Sequence, residues 1–235
     1  MSTELTTNKD TTAPTSPINN DLQDDLAAFA AAANQNLSSS RLGPLLTFKK
    51  GKFLYGKKKI EMALGTELIA IIAETRHGYV KWSNGKIVKN AIWRVAERPL
   101  LDRNEMGETE ENQWPISEMT GRPEDPYQHV ISVPMVSLDG TQIYTFSTHY
   151  FYGREAAYGL LKKYAAQGAQ HPDEYPIVKL GVAQQSTKRG DIPVPTLELV
   201  GWTDRPQIKV EPGSDNVIEE PSRSRRDDFD DEIPF

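Results

Sequence analysis

Between about positions 41 and 205, apolar residues recur mostly at every second position, the spacing of half-buried strands rather than of helices. Glu67 to Ala73 reads as one strand. Tyr79-Val80-Lys81-Trp82, then Asn84-Gly85, then Ile87-Val88 and Ala91-Ile92-Trp93 read as a hairpin around a favoured two-residue turn. A second hairpin pairs His129 to Val136 with Gln142 to Thr148 around Asp139-Gly140, and later strands are expected at Ile177 to Val182 and Leu197 to Trp202. That makes at least six strands. A helical pattern is clear only at Glu155 to Gln167, where Ala156, Ala157, Leu160, Leu161 and Tyr164 share a side and Gly168 can stop the helix. The stretch 97–125 is charged and interrupted by Pro99, Pro115 and Pro123, so it reads as a long surface insertion between the hairpins. The expected class is mainly β with one core helix (α+β), arranged as a small barrel.

The flanks are different. Residues 1–20 and 206–235 have few large apolar side chains and many Thr, Asn, Pro, Ser and Asp, too little apolar surface to offset the entropy of ordering. Both read as disordered. Asn20 can cap a short helix with Leu22, Leu26, Phe29 and Ala33 on one side, followed by a linker from Asn36 to Ser40. The expected organisation is therefore an arm over 1–40 that is a candidate oligomer contact, a domain over 41–205, and a tail over 206–235.

Composition narrows the chemistry. The chain of 235 residues has no cysteine, which excludes a disulfide framework, thiolate metal sites and a cysteine nucleophile. Met1 to Asn20 lacks the apolar segment of a secretory signal, and the apolar run Leu68 to Ala73 is only six residues. A membrane-spanning helix needs about 20. The expectation is a soluble, cytoplasmic protein. Net charge is −6, but its distribution matters more: 1–40 carry −4, 41–94 carry +9, 95–205 carry −6 and 206–235 carry −5. A cationic block ahead of an acidic tail suits a polyanion binder that carries its own competitor.

Within the cationic block, Phe48-Lys49-Lys50-Gly51-Lys52-Phe53-Leu54-Tyr55-Gly56-Lys57-Lys58-Lys59 holds six lysines and three aromatic rings in twelve residues. Single-strand binders need cations to replace phosphate counterions and rings to stack on bases. The first hairpin adds Tyr79, Lys81, Trp82, Lys86, Lys89, Trp93 and Arg94, with no acidic residue between Arg76 and Arg94. Candidate contacts are thus Lys49, Lys50, Lys52, Phe53, Tyr55, Lys57, Lys58, Lys59, Tyr79, Lys81, Trp82, Lys86, Trp93 and Arg94. The competing reading is a solvated basic loop whose rings enter the core. Because strand faces alternate, Tyr79 and Trp82 point opposite ways, so at least one of them is structural. His77, His129, His149 and His171 are scattered, and no phosphate loop or nucleophile elbow is present. Glu110, Glu111, Glu124 and Asp125 are candidate nuclease metal ligands, but a solvated loop explains them more simply. No enzyme activity, cofactor or metal is expected.

The last nine residues, Asp227-Asp228-Phe229-Asp230-Asp231-Glu232-Ile233-Pro234-Phe235, combine an acid cluster with an apolar ending. This closely resembles the acidic C-terminal tip of bacterial single-stranded DNA-binding proteins. The resemblance covers only these nine residues and the character of the tail. It implies a docking peptide: the Phe235 ring and its carboxylate enter a basic-rimmed apolar pocket on a replication, recombination or repair protein, while the aspartates steer the encounter. It also implies that the tip can fold back on the chain's own cationic site. The body departs from the family, since its usual opening strand is missing and an acidic arm precedes the first strand. That suits a bacteriophage or prophage version of the function, working in the cytoplasm of a bacterial or phage-infected cell. The strand and helix order is compatible with an OB-fold. The expected function is coating of single-stranded DNA with partner recruitment by the tip. The alternative is a tip-bearing adaptor or recombination mediator that binds duplex or protein.

Overall fold

A computed structural model describes residues 42–204 apart from 84–85, 118–119 and 189, together with residues 206 and 208. The Asn84-Gly85 turn, the helix expected after Asn20, most of the acidic tail and its tip lie outside the described residues. Ten strands and one α-helix make up the described fold: β1 (Leu45–Lys49), β2 (Lys52–Tyr55), β3 (Ile60–Met62), β4 (Glu67–Ala70), β5 (Arg76–Ser83), β6 (Lys86–Arg94), β7 (Tyr127–Ser137), β8 (Ile143–Thr148), α1 (Phe151–Gln167), β9 (Tyr175–Thr187) and β10 (Gly190–Thr203). The chain is mostly β, and α1 is not long and apolar enough to cross a membrane.

The strands form one sheet in the order β10-β9-β4-β7-β8-β1-β2-β3, and β5 and β6 branch from β7. β7 carries two partners in succession on one edge. β4 takes its C-terminal half (Leu68 opposite Ser137) and β5 its N-terminal half (Arg76 opposite Ser132). Between them the chain leaves the sheet in a 3-10 turn over Ile72–Glu74, so the strand expected to run to Ala73 ends at Ala70. Farther along β5, a Cβ on Gly78 would lie 1.9 Å from the Ala91 carbonyl oxygen. Only a hydrogen fits where β6 comes this close. No ladder joins the end strands β10 and β3, so the sheet is not closed by hydrogen bonds. The β1–β2 turn nevertheless lies against β10, since a Cβ on Gly51 would be 3.4 Å from Pro193.

The lysine and aromatic run is not a loop. It folds as two tight hairpins, β1–β2 and β2–β3, with Lys49 opposite Lys52 across a two-residue Lys50-Gly51 turn. Both turn residues have positive φ, 49° and 80°, the backbone of a turn whose twist matches that of its strands. The inner positions of these strands place Leu46, Phe53 and Met62 in the main core, with Ile131, Val133 and Met135 of β7, Phe146 of β8, Leu180 and Leu197 of the last hairpin, and Ala157 and Leu160 of α1. The helix begins at Phe151, four residues before its expected start, and ends at the expected Gln167.

β9 and β10 are the longest strands, 13 and 14 residues, and extend well beyond the six-residue stretches expected. Pro193 and Pro195, two apart in β10, face Gln184 and Val182 within a continuous ladder. A proline fits there because its missing N–H faces the edge of the sheet. A second small core occupies the other face of β7 and β8. Ile71, Val136 and Ile143 are covered by Leu42, Tyr175 and Ile208, so both ends of the described chain meet on that face.

Candidate nucleic-acid interface

Residues paired across a ladder share a face. Ile131, Val133 and Met135 point into the core, so Ser132 and its partners point outward. Ser147, Ser132, Arg76 and Arg94 form one transverse row across β8, β7, β5 and β6. The Ser132 hydroxyl donates to the Ser147 oxygen at 2.9 Å. On the far side, β1 runs parallel to β8 with Leu45 beside Thr145, which brings Thr47 level with Ser147 two residues on. The lower end of this outer face is capped by Leu42 and Ile208. Its upper part is a shallow surface of small hydroxyl side chains between two hairpins. Sequence reasoning missed Thr47, Ser132, Ser147 and Arg76, because small polar residues on a strand carry no signal until their neighbours are known.

The structure separates the expected contacts into three groups. Lys50, Lys52, Lys57, Lys58 and Lys59 are exposed and Lys49 is half-buried, all on the β1–β3 hairpins. Lys52 forms a surface ion pair with Glu61 at 2.6 Å, worth little in water. Trp82 is half-buried and, by register with Ile87, lies on the outer face; the side chain of Lys86 is not described.

The second group is structural. Phe53, expected as a contact ring, is 0% exposed and packs edge-on against Phe48 with centroids 5.0 Å apart, so it cannot reach a base. Tyr79 is 8% exposed and belongs to a cluster with Met106 and Tyr127, which makes it the structural member of the Tyr79 and Trp82 pair. Tyr55 is half-buried and packs against Tyr144 at 5.2 Å. Trp93 lies under the Arg98 guanidinium, 5.0 Å from the ring centroid, and its indole N–H donates to the Pro99 carbonyl.

The third group consists of cations already balanced by acids. Lys81 pairs with Glu108 at 2.6 Å. Arg94 pairs with Glu97 and with Glu74, whose side chain is 9% exposed and lies 3.8 Å from Arg76 as well. Two of these acids belong to the segment 97–125, which is more than an insertion. Met106, Leu100 and Leu101 cover Tyr79 and Tyr127, and Arg103 forms a two-point ion pair with Asp125. Lys81, Lys89 and Arg103 all stand over the Tyr127 ring, at 5.8, 5.5 and 4.7 Å from its centroid. Six of the block's cations thus lie on the β1–β3 hairpins, most of them exposed.

Behind the sheet lies a buried polar chain. His77 Nε2 is 2.9 Å from the Arg98 carbonyl, which can only accept, so that nitrogen carries the hydrogen. Its Nδ1 then accepts from the Tyr158 hydroxyl at 3.1 Å, and Tyr158 in turn accepts from His129 Nε2 at 3.0 Å. This tautomer assignment follows from the carbonyl. Burial, reinforced by Arg154 and His77, lowers the His129 pKa to about 4, and burial pushes Tyr158 up to about 12.

Among the described residues no group of three or more His, Asp or Glu side chains is placed to hold a metal ion, and Asp125 is taken by Arg103. The chain matches no known protein family, curated protein or solved structure.

Proposed function

We propose that this chain binds single-stranded DNA along the outer face of β1, β8 and β7, and that its C-terminal tip recruits partner proteins. The observation that carries this reading is the folding of the lysine-rich segment into two short hairpins, one strand of which, β1, lies beside a half-buried row of hydroxyl side chains on β8 and β7. Phosphates suit the lysines, while the hydroxyls offer short hydrogen bonds without sequence demands. The strand path supports an OB-like core. Taking β4 and β5 as one broken strand and setting aside β1–β3 and the branching β6, the chain order is strand (β4/β5), strand (β7), strand (β8), helix (α1), strand (β9), strand (β10). In an OB-fold the helix likewise falls between the third and fourth strands. β1 pairs with β8, and the β1–β2 turn lies against Pro193 of β10. Partner recruitment rests on the resemblance of Asp227 to Phe235.

The test is fluorescence titration of oligo-dT, matched duplex and matched RNA at two salt concentrations. Coating predicts a preference for oligo-dT over duplex of at least tenfold, with affinity falling as salt rises. Equal affinity for duplex would replace this reading with the adaptor alternative.

A further inference from the structure

At the upper end of β8 the chain presents four consecutive ring side chains, His149, Tyr150, Phe151 and Tyr152, that the expected contacts did not include. His149 and Tyr150 lie 4.2 Å apart at a tilt of 32°, and Phe151 meets Tyr152 edge-on at 5.2 Å. Phe151 is 59% exposed, a large apolar ring held in solvent. The parallel pairing of Leu46 with Phe146 makes β1 and β8 run in the same direction, so the chain leaves β8 toward these rings as β1 leads toward the Lys50-Gly51 turn.

Arg154 is three residues on from Phe151 in α1, a spacing that puts both on one helix face. Its guanidinium is half-buried and donates from Nη1 to the carbonyl oxygens of His149 at 2.5 Å and His129 at 3.4 Å. Among the described residues it forms no ion pair with a carboxylate, and Glu155 beside it is exposed. The groups around it are the rings of His129, Tyr158 and Tyr79, all neutral near pH 7, and the solvated carboxylate of Glu155, which acts on it only at a distance. A half-buried guanidinium held by carbonyls, with its one neighbouring carboxylate in solvent, gains a charge-assisted bond from an incoming phosphate.

We infer that Phe151 and Arg154, beside the His149–Tyr150 pair, form a nucleotide subsite in which Phe151 stacks on a base and Arg154 meets the adjoining phosphate. The inference rests on the single-strand reading and names a contact on the helix that lies outside the hairpins. It is tested on the full chain with fluorescein-labelled oligo-dT and an abasic strand of equal length. Phe151→Ala should weaken oligo-dT binding roughly 5- to 100-fold and leave abasic binding within twofold. Arg154→Gln should weaken both ligands and reduce the log-log salt slope by about 0.7. Because Phe151 is exposed, its variant should melt with the wild type, which keeps the readout on binding. If Phe151→Ala binds oligo-dT like the wild type, the subsite is wrong while the single-strand reading stands. If the wild type binds neither strand, both are wrong.

Discussion

Lowering the pH from 7 to 4.5 should destabilise the fold through His129. The ring packs at a tilt against Tyr79 at 5.5 Å, is bonded to the Tyr158 hydroxyl and lies close to the Arg154 guanidinium, so protonation would place a second cation beside the first. In the unfolded chain the imidazole takes up its proton near 6.5, whereas in the folded chain it waits until about 4. Between these values the unfolded state holds more protons, and stability falls as pH falls. The full gap corresponds to about 3 kcal/mol. Since the ring keeps some solvent contact, a loss of about 1–2 kcal/mol is expected. Asp139, held down to about 2 by hydrogen bonds from Ser137 and Thr141, loses its contribution only below this window. Urea denaturation followed by tryptophan fluorescence at pH 7, 6, 5 and 4.5 would measure the effect in the wild type and in His129→Gln. The variant should be less stable at pH 7 but lose little more on acidification. If it shows the same pH slope as the wild type, His129 does not carry the effect and the buried chain has been misassigned.

Phe53→Ala should cost about 3–5 kcal/mol in urea denaturation, because it empties a fully buried ring site; normal stability with abolished DNA binding would restore the ring as a contact. Neutralising Lys57, Lys58 and Lys59, exposed on the β2–β3 turn, should lower oligo-dT affinity and flatten the salt slope by about 0.7 for each phosphate no longer neutralised; an unchanged slope would remove this hairpin from the site. Deleting Asp227 to Phe235 should tighten DNA binding modestly at low salt, since a tethered acidic segment competes at an effective concentration near millimolar. Phe235→Ala should leave DNA binding unchanged and abolish capture of replication and repair proteins in pull-downs, and retained capture would reduce the tip to a solubilising end.

The hairpin of β7 and β8 was legible because its alternation is regular and Asp139-Gly140 is a strong turn signal. The lysine and aromatic run alternates just as well, with Phe53 and Tyr55 inward and Lys52 and Leu54 outward. Its clustered charge nevertheless reads as a loop, and Lys50-Gly51 is a weaker turn signal than Asn-Gly. Pro193 and Pro195 hide the length of β10, since a proline stops a strand in sequence but not at an edge. The balancing of Lys81 and Arg94 was not legible, because Glu108 reaches Lys81 only once the segment after β6 folds back, and Glu74 reaches Arg94 only once β5 and β6 pair. Block charge locates the cations, whereas tertiary pairing decides which of them remain for a ligand.

Photocrosslinking of an iodouracil-substituted oligo-dT to the full chain, with peptide mapping of the attachment sites, tests the interface most directly. Attachment should fall within 45–59, 76–94 or 147–152 and be displaced by unlabelled oligo-dT but not by duplex. Attachment confined to the opposite end, where Trp202 stacks on His171 and packs against Tyr164, would contradict the proposed face.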